Sequence, residues 1–356
     1  MNGPPPGTVD CDVHPAVPAV TALLPYLSDH WRESVVQRGL DELTTVLYPP
    51  NAPHTSRPDW REPGRVPGAS LEALRTQALD AFGSGTAICN CLYGVTLLFS
   101  EDFAAALAGA VNGWIAAEWL DREPRLRASI VVAPQNPEFA VEEIERRAAD
   151  PRFVQVLLPV SDEMPLGRRP YWPIYAAAAR HGLPVALHAG SSFKHPTTSV
   201  GWSSTVTEDY VAQAQGFQSA LTSLVCEGVF EKIPELRVVL LESGVTWLPA
   251  HLWRMNKSWR GLRMEVPWLD RTPASIVRDH VRLTMQPFDA PPEAAIVQRV
   301  VEQIGSDRVL LFATDWPHWQ FDGEDVLPPG LSPALARRIM VDNPRETFVR
   351  LKETVA

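Results

Sequence analysis

Eight short apolar runs, separated by stretches of helical pattern, limit what this chain can fold into more than any other feature. They are Val9–His14, Thr86–Cys91, Leu126–Ala133, Phe153–Leu158, Leu183–His188, Leu236–Glu242, Val281–Met285 and Val309–Thr314. Most are apolar throughout rather than alternating, as in parallel strands covered on both faces. Between them, periodicity predicts helices at Ser70–Phe82, Glu101–Arg122, Pro137–Ala149, Tyr171–His181, Asp209–Glu231, Val245–Leu262, Pro292–Ile304 and Ser332–Lys352. Gly83 and Gly182 mark helix ends, and Ser332-Pro333 offers an N-cap followed by a first-turn proline. This alternation is that of a distorted (β/α)8 barrel, a TIM barrel of the α/β class, expected as one domain over residues 1–356. A doubly wound open sheet is the alternative, but it calls for a glycine-rich turn after the first strand, and none follows Val9–His14.

Three stretches exceed a minimal barrel. They are an insertion-like excursion at about 25–68, ending in the Pro/Gly/Arg-rich Arg57–Gly68, and the loops 189–208 and 316–331. Each should leave the C-terminal face of the barrel, where such folds carry their sites. A net charge of −10 argues against a nucleic-acid or anionic-membrane partner but not against a small anionic substrate. The four cysteines, Cys11, Cys89, Cys91 and Cys226, do not resemble a disulfide framework in a chain of 356 residues. Cys89-Asn90-Cys91 reads as a soft metal site or, more simply, as two small buried residues on one strand. Met1–Gly7 lacks the basic and apolar regions of a signal peptide, and no apolar run reaches transmembrane length. A cytoplasmic protein is expected.

The chemistry gathers where apolar runs end. Asp12 and His14 are two apart on a strand and so project to one face, a carboxylate beside an imidazole, as a divalent metal requires. The fifth run ends Leu187-His188-Ala189-Gly190, the sixth Leu241-Glu242-Ser243-Gly244, and the eighth Thr314-Asp315-Trp316-Pro317-His318. A buried ionisable group at a strand end is costly unless paired or metal-bound. In a closed barrel the first and eighth strands are neighbours and the fifth lies across the lumen. Asp12, His14, His188 and Asp315 could then surround one ion; alternatively, His188 and Asp315 merely cap their loops. Lys194 and His195 are candidates for binding an anionic substrate group. His318 is a candidate to line the site, and Trp202, Trp316 and Trp319 could supply flat walls for a planar substrate. Trp247, Trp253 and Trp259 recur at helical spacing and suit a packed helix or a subunit interface, so a homo-oligomer, a dimer, is expected.

With these motifs and the closing Asn343-Pro344-Arg345-Glu346-Thr347-Phe348, the chain resembles the amidohydrolase superfamily from Asp10 to about Phe348. Specifically, it resembles the branch holding aminocarboxymuconate semialdehyde decarboxylase and γ-resorcylate decarboxylase. The resemblance implies one divalent ion, zinc or manganese, held by Asp12, His14, His188 and Asp315. It implies catalytic roles for Asp315, Glu242 and His318 on a small acid or carbonyl substrate. The acid-x-His first pair looks like that of the aromatic decarboxylases in the branch, and its oxygen-rich character tilts the choice toward manganese. One departure stands out: many relatives carry a catalytic histidine where this chain has Glu242. Non-oxidative decarboxylation is the leading expectation, and hydrolysis of an amide, ester or lactone by metal-activated water is the alternative. A non-catalytic ligand-binding barrel would show a broken ligand set, whereas every ligand position here holds a competent residue.

Overall fold

The computed structural model describes all residues except 1–3, 41–54, 192–193, 322–326 and 353–356. Eight parallel strands follow one another in chain order around one sheet. They are β1 Val9–Val13, β2 Thr86–Cys89, β3 Leu126–Val131, β4 Phe153–Ser161, β5 Val185–Ser191, β6 Val238–Leu241, β7 Val281–Thr284 and β8 Leu310–Leu311. The eighth strand meets the first through Cys11 N to Phe312 O (3.0 Å), Asp315 N to Asp12 O (3.0 Å) and His14 N to Trp316 O (2.7 Å), which closes the ring. This is a (β/α)8 barrel, as the alternating runs predict.

The ordered strands are nearly all buried on both faces, which is why they read as continuous apolar runs. The eighth is shorter than its apolar run: beyond Leu311, Phe312 N turns to Ile339 O (3.1 Å), and Thr314 N and Oγ1 turn to the Asp10 carboxylate (2.9 and 2.6 Å). Around the barrel lie helices including Glu101–Ile115, Pro137–Arg147, Trp172–Arg180, Val206–Cys226, Trp247–Leu262 and Ala294–Ile304. Two helices carried no sequence signal strong enough to be expected, Asp29–Arg38 within the excursion and Pro273–His280 before β7. The Val206–Cys226 helix begins three residues earlier than its periodicity indicates, because Thr205 and Glu208 form a capping box. Its expected continuation is broken by Gly228 in the left-handed region (φ 80), after which Val229–Lys232 resumes.

Helix Glu101–Leu120 is long and apolar enough, by composition, to cross a membrane, which the sequence reading had not anticipated. Its apolar side is buried: Phe103, Leu107, Val111 and Ile115 belong to the main core. Of the 25–68 excursion, residues 41–54 fall outside the described part. The described end returns to the C-terminal face. Arg57 N bonds Pro317 O (2.9 Å) and Ala16 N bonds Gly68 O (2.9 Å). Gly68 has φ 84, and a Cβ there would lie 2.4 Å from the His14 carbonyl oxygen, so the approach to β1 requires glycine.

Candidate functional site

Ligand atoms of Asp12, His14, His188 and Asp315 all lie within 4.8 Å of one another, and all four residues are buried. Asp12 and His14 project inward from the end of β1 and His188 from β5, while Asp315 follows β8. His14 Nε2 stands 3.1 Å from Asp12 Oδ1 and 2.8 Å from Asp315 Oδ1, and His188 Nε2 stands 3.7 Å from Asp12 Oδ2. Each histidine has its other nitrogen fixed. His14 Nδ1 donates to the Asn90 carbonyl (2.9 Å) and His188 Nδ1 to the Ala189 carbonyl (2.7 Å). A carbonyl only accepts, so the Nδ1 atoms carry the protons, and both Nε2 atoms face the cluster. Burial holds His188 down to about 4, against the pull of Asp12, so its ring is neutral near pH 7 and Nε2 is an acceptor. Burial alone would also lower His14, but Asp12 and Asp315 outweigh it and raise His14 well above its ordinary value. An arriving cation must therefore displace that proton.

Within this cluster Asp12 Oδ2, His188 Nε2 and Asp315 Oδ2 are buried with no hydrogen-bond partner. Three orphaned acceptors around one point are expensive in an interior unless a cation completes them. Hard oxygen donors with imidazoles suit a divalent metal such as manganese or zinc. Asp12 Oδ1 is spoken for by Asn90 Nδ2 (2.8 Å). Asn90 in turn takes Ser129 Oγ and Gln155 Nε2 (2.9 Å) on its Oδ1. This inner network orients Asp12, and sequence reading missed it. The only cue was a polar residue in each of three apolar runs. The two cysteines beside Asn90 are buried, and burial lifts the Cys91 thiol to about 12 and Cys89 well above its ordinary value. Both belong to the core and neither joins a group of possible metal ligands among the described residues, so they read as packing residues.

A second group shares Asp315: Glu242, Asp315 and His318 also bring ligand atoms within 4.8 Å. His318 Nδ1 lies 2.9 Å from Asp315 Oδ1, and its ring stacks on His14 at 4.4 Å. Burial pushes Asp315 up, but the His318 and His14 imidazoles more than offset it and hold the carboxylate below its usual range. Glu242 Oε2 is 3.4 Å from His188 Nε2, while Oε1 accepts from Tyr210 Oη and from Gln320 Nε2 (2.5 Å). Burial, then the charge of Asp315, raises Glu242 well above its ordinary value. Among the described residues, Glu242 (φ 55) and Asp315 (φ 58) are the non-glycine residues with left-handed backbone. That conformation costs about 1–2 kcal/mol per residue and turns both carboxylates inward from strand ends. Tyr210 and Gln320 lie on a helix and a loop, with no pattern to mark them in the sequence.

The outer candidates fare differently. Lys194 Nζ pairs with Glu163, and His195 Nε2 meets the Asp162 carbonyl oxygen, so both tie the β5 loop to residues after β4. Trp202 and Trp319 are 60% and 47% exposed, with Trp319 6.2 Å from the Tyr210 ring. Trp316 is a correction. It is 1% exposed and its indole donates to Gln77 Oε1 (2.9 Å), so it packs in the core rather than walling the site. Gln77 belongs to the helical turn Arg75–Leu79 outside the sheet, and this bond holds the indole there.

The family model described as amidohydrolase matches residues 9–350. The chain belongs to the amidohydrolase family. Among curated relatives, the γ-resorcylate decarboxylase of Rhizobium sp. (strain MTP-10005) is 24% identical over 262 residues, 71% of this chain and 78% of that protein. A dihydroxybenzoic acid decarboxylase from Polaromonas sp. JS666, solved with bound manganese and 2-nitroresorcinol, has a TM-score of 0.68 at 18% identity, covering 99% of each chain. A 5-carboxyvanillate decarboxylase from Sphingomonas paucimobilis has a TM-score of 0.69 at 18% identity, covering 96% of this chain and 98% of its own. At these identities the solved structures establish the fold. This protein is thus an amidohydrolase-family enzyme with a (β/α)8 barrel.

Proposed function

We propose that this amidohydrolase-family enzyme is a divalent-metal-dependent, non-oxidative decarboxylase of a small aromatic or unsaturated carboxylic acid. The observation that carries it is the set of orphaned acceptors, Asp12 Oδ2, His188 Nε2 and Asp315 Oδ2, in one buried cluster. Asp12, His14, His188 and Asp315 would hold the ion, manganese by preference for an oxygen-rich set. When bound, it supplies Lewis-acid polarisation of substrate oxygens. The relatives named for decarboxylation of hydroxylated benzoates support the reaction class.

The chain's own residues then have separable tasks. Asp315, held anionic, fixes His318 through its Nδ1. His318, half-buried, gives a proton to the ring carbon that bears the carboxylate and is reloaded from solvent. The carbon–carbon bond then breaks, its electron pair restores the ring and carbon dioxide departs, so no oxidant or reductant is needed. Glu242 could repel a substrate carboxylate if ionised. Burial and Asp315 favour its protonated form, which instead donates a hydrogen bond to that carboxylate.

Lys194 and His195, already tied to Glu163 and Asp162, shape the loop in this reading, and Trp202 and Trp319 flank the entrance. A homodimer is part of the proposal. Trp253, Leu262, Met264 and Trp268 leave an exposed apolar face on and after the Trp247–Leu262 helix. The test is a manganese-loaded preparation offered hydroxybenzoates and aryl lactones. Stoichiometric carbon dioxide from a hydroxybenzoate is expected; lactone cleavage without carbon dioxide would overturn the decarboxylase reading.

A further inference from the structure

The barrel mouth is chemically two-sided. Glu242, His318, Gln320 and Tyr210 gather on the side of β6 to β8. The opposite side, above β2 to β5, holds a cavity of about 40 Å3 that opens beside His188. Its walls include Cys91, Tyr93, Val95, Val131, Leu157 and Pro159. The strand phase shows which of these face inward. Ser129 and Gln155 point into the barrel to Asn90, so Val131 and Leu157, two residues further on, share that face at the mouth. Both keep a little exposure, 5% and 7%, at a level where the strand residues beneath are sealed. Lys194, which could have brought a cation to this side, is paired with Glu163.

Size and lining together decide what fits. One water needs roughly 10–15 Å3 measured this way, so the slot holds about three water-sized volumes. A methyl, ethyl or methoxy group fits; a hydrated carboxylate does not, and a dehydrated one would lie mostly against apolar side chains, with Tyr93, Thr96 and His188 as the polar exceptions. We propose that this slot is a specificity subsite for a small apolar ring substituent, making the substrate a hydroxybenzoate with an alkyl or alkoxy group. It rests on the aromatic-acid reading above.

The test measures binding and turnover separately on the manganese-loaded full chain. Dissociation constants are taken by calorimetry for 2-hydroxybenzoates that carry hydrogen, methyl, ethyl or carboxylate at the same ring position, for each position in turn. At the position that reaches the slot, each buried methylene should tighten binding about four-fold, and carboxylate should bind at least about ten-fold more weakly than hydrogen. Leu157→Ala should move the optimum to a longer chain, propyl or butyl, with manganese content unchanged. Equal or tighter binding of carboxylate, or no gain from methyl at any position, overturns the subsite whether or not Leu157→Ala folds. Failure of the function reads out differently, as tight binding of the alkyl acids with no carbon dioxide released.

Discussion

Two layers of the barrel interior, one turn of the pleat apart, carry nearly the same residues to opposite ends. In the lower layer Asp10 is buried, and its two oxygens take Thr314 N, Thr314 Oγ1 and Asp12 N. In the upper layer Asp12, two residues on and equally buried, leaves Oδ2 without a partner, as His188 does with Nε2 and Asp315 with Oδ2. The lower acid is a joint that ties β1 to the segment after β8. The upper set is incomplete as protein alone. A buried carboxylate is therefore not a sign of a site; a buried carboxylate with an unmet oxygen, facing others like it, is.

The contrast predicts opposite failures. The largest effect is expected at Asp12→Ala, which should empty the upper layer. kcat/KM should fall on the order of 10^3-fold or more while the thermal midpoint of the metal-free protein barely moves. A variant that retains activity would erase the distinction between the layers. Asp10→Ala should do the reverse, leaving Thr314 N and Oγ1 unmet. Denaturant titration should show a loss of about 3 kcal/mol, with manganese still bound by the folded fraction.

Glu242 sharpens the comparison, because it sits in the upper layer yet has one oxygen satisfied by Tyr210 and Gln320. Glu242→Gln preserves a donor toward the substrate and should cut kcat by less than about ten-fold. Glu242→Ala should cost about 100-fold, read as a kcat effect by steady-state kinetics. The reverse order would make Glu242 an anionic group that handles a proton rather than a donor to the substrate. The smallest effect is expected far from both layers. Glu123, between Arg125 and Arg75, is lowered from 4.5 to about 2, chiefly by its hydrogen bond with Arg125. Because the folded value is the lower one, the stabilisation is whole above the unfolded value and drains away as pH falls from about 4.5 to 2. Glu123→Gln should flatten that part of the stability–pH curve, by on the order of 2 kcal/mol given the partly solvated arginines.

What the sequence revealed follows from what its patterns encode. Both-face burial writes a strand as an apolar run, so all eight strands, their order and the strand ends that carry His14, His188, Glu242 and Asp315 were legible. The run after Leu311 was read as strand because it is apolar; the partners that interrupt its pairing, Ile339 for Phe312 N and Asp10 for Thr314 N, are tertiary. Helices Asp29–Arg38 and Pro273–His280 are short, and their stripe is too brief to stand out. Trp316 was misplaced by its neighbourhood: it adjoins Asp315 in the chain, but its indole is claimed by Gln77, a tertiary partner that no local pattern records. Asn90, Tyr210 and Gln320 act through tertiary contacts with Asp12 and Glu242, which no local pattern records.

The most direct measurement is metal content by plasma mass spectrometry on protein purified without chelator and dialysed against manganese, for the native chain and for His188→Ala. The account predicts close to one equivalent of tightly held metal in the native chain and almost none in the variant, with matching circular dichroism. A native chain that takes up no metal, or a variant that keeps it, would contradict the assignment of the upper layer.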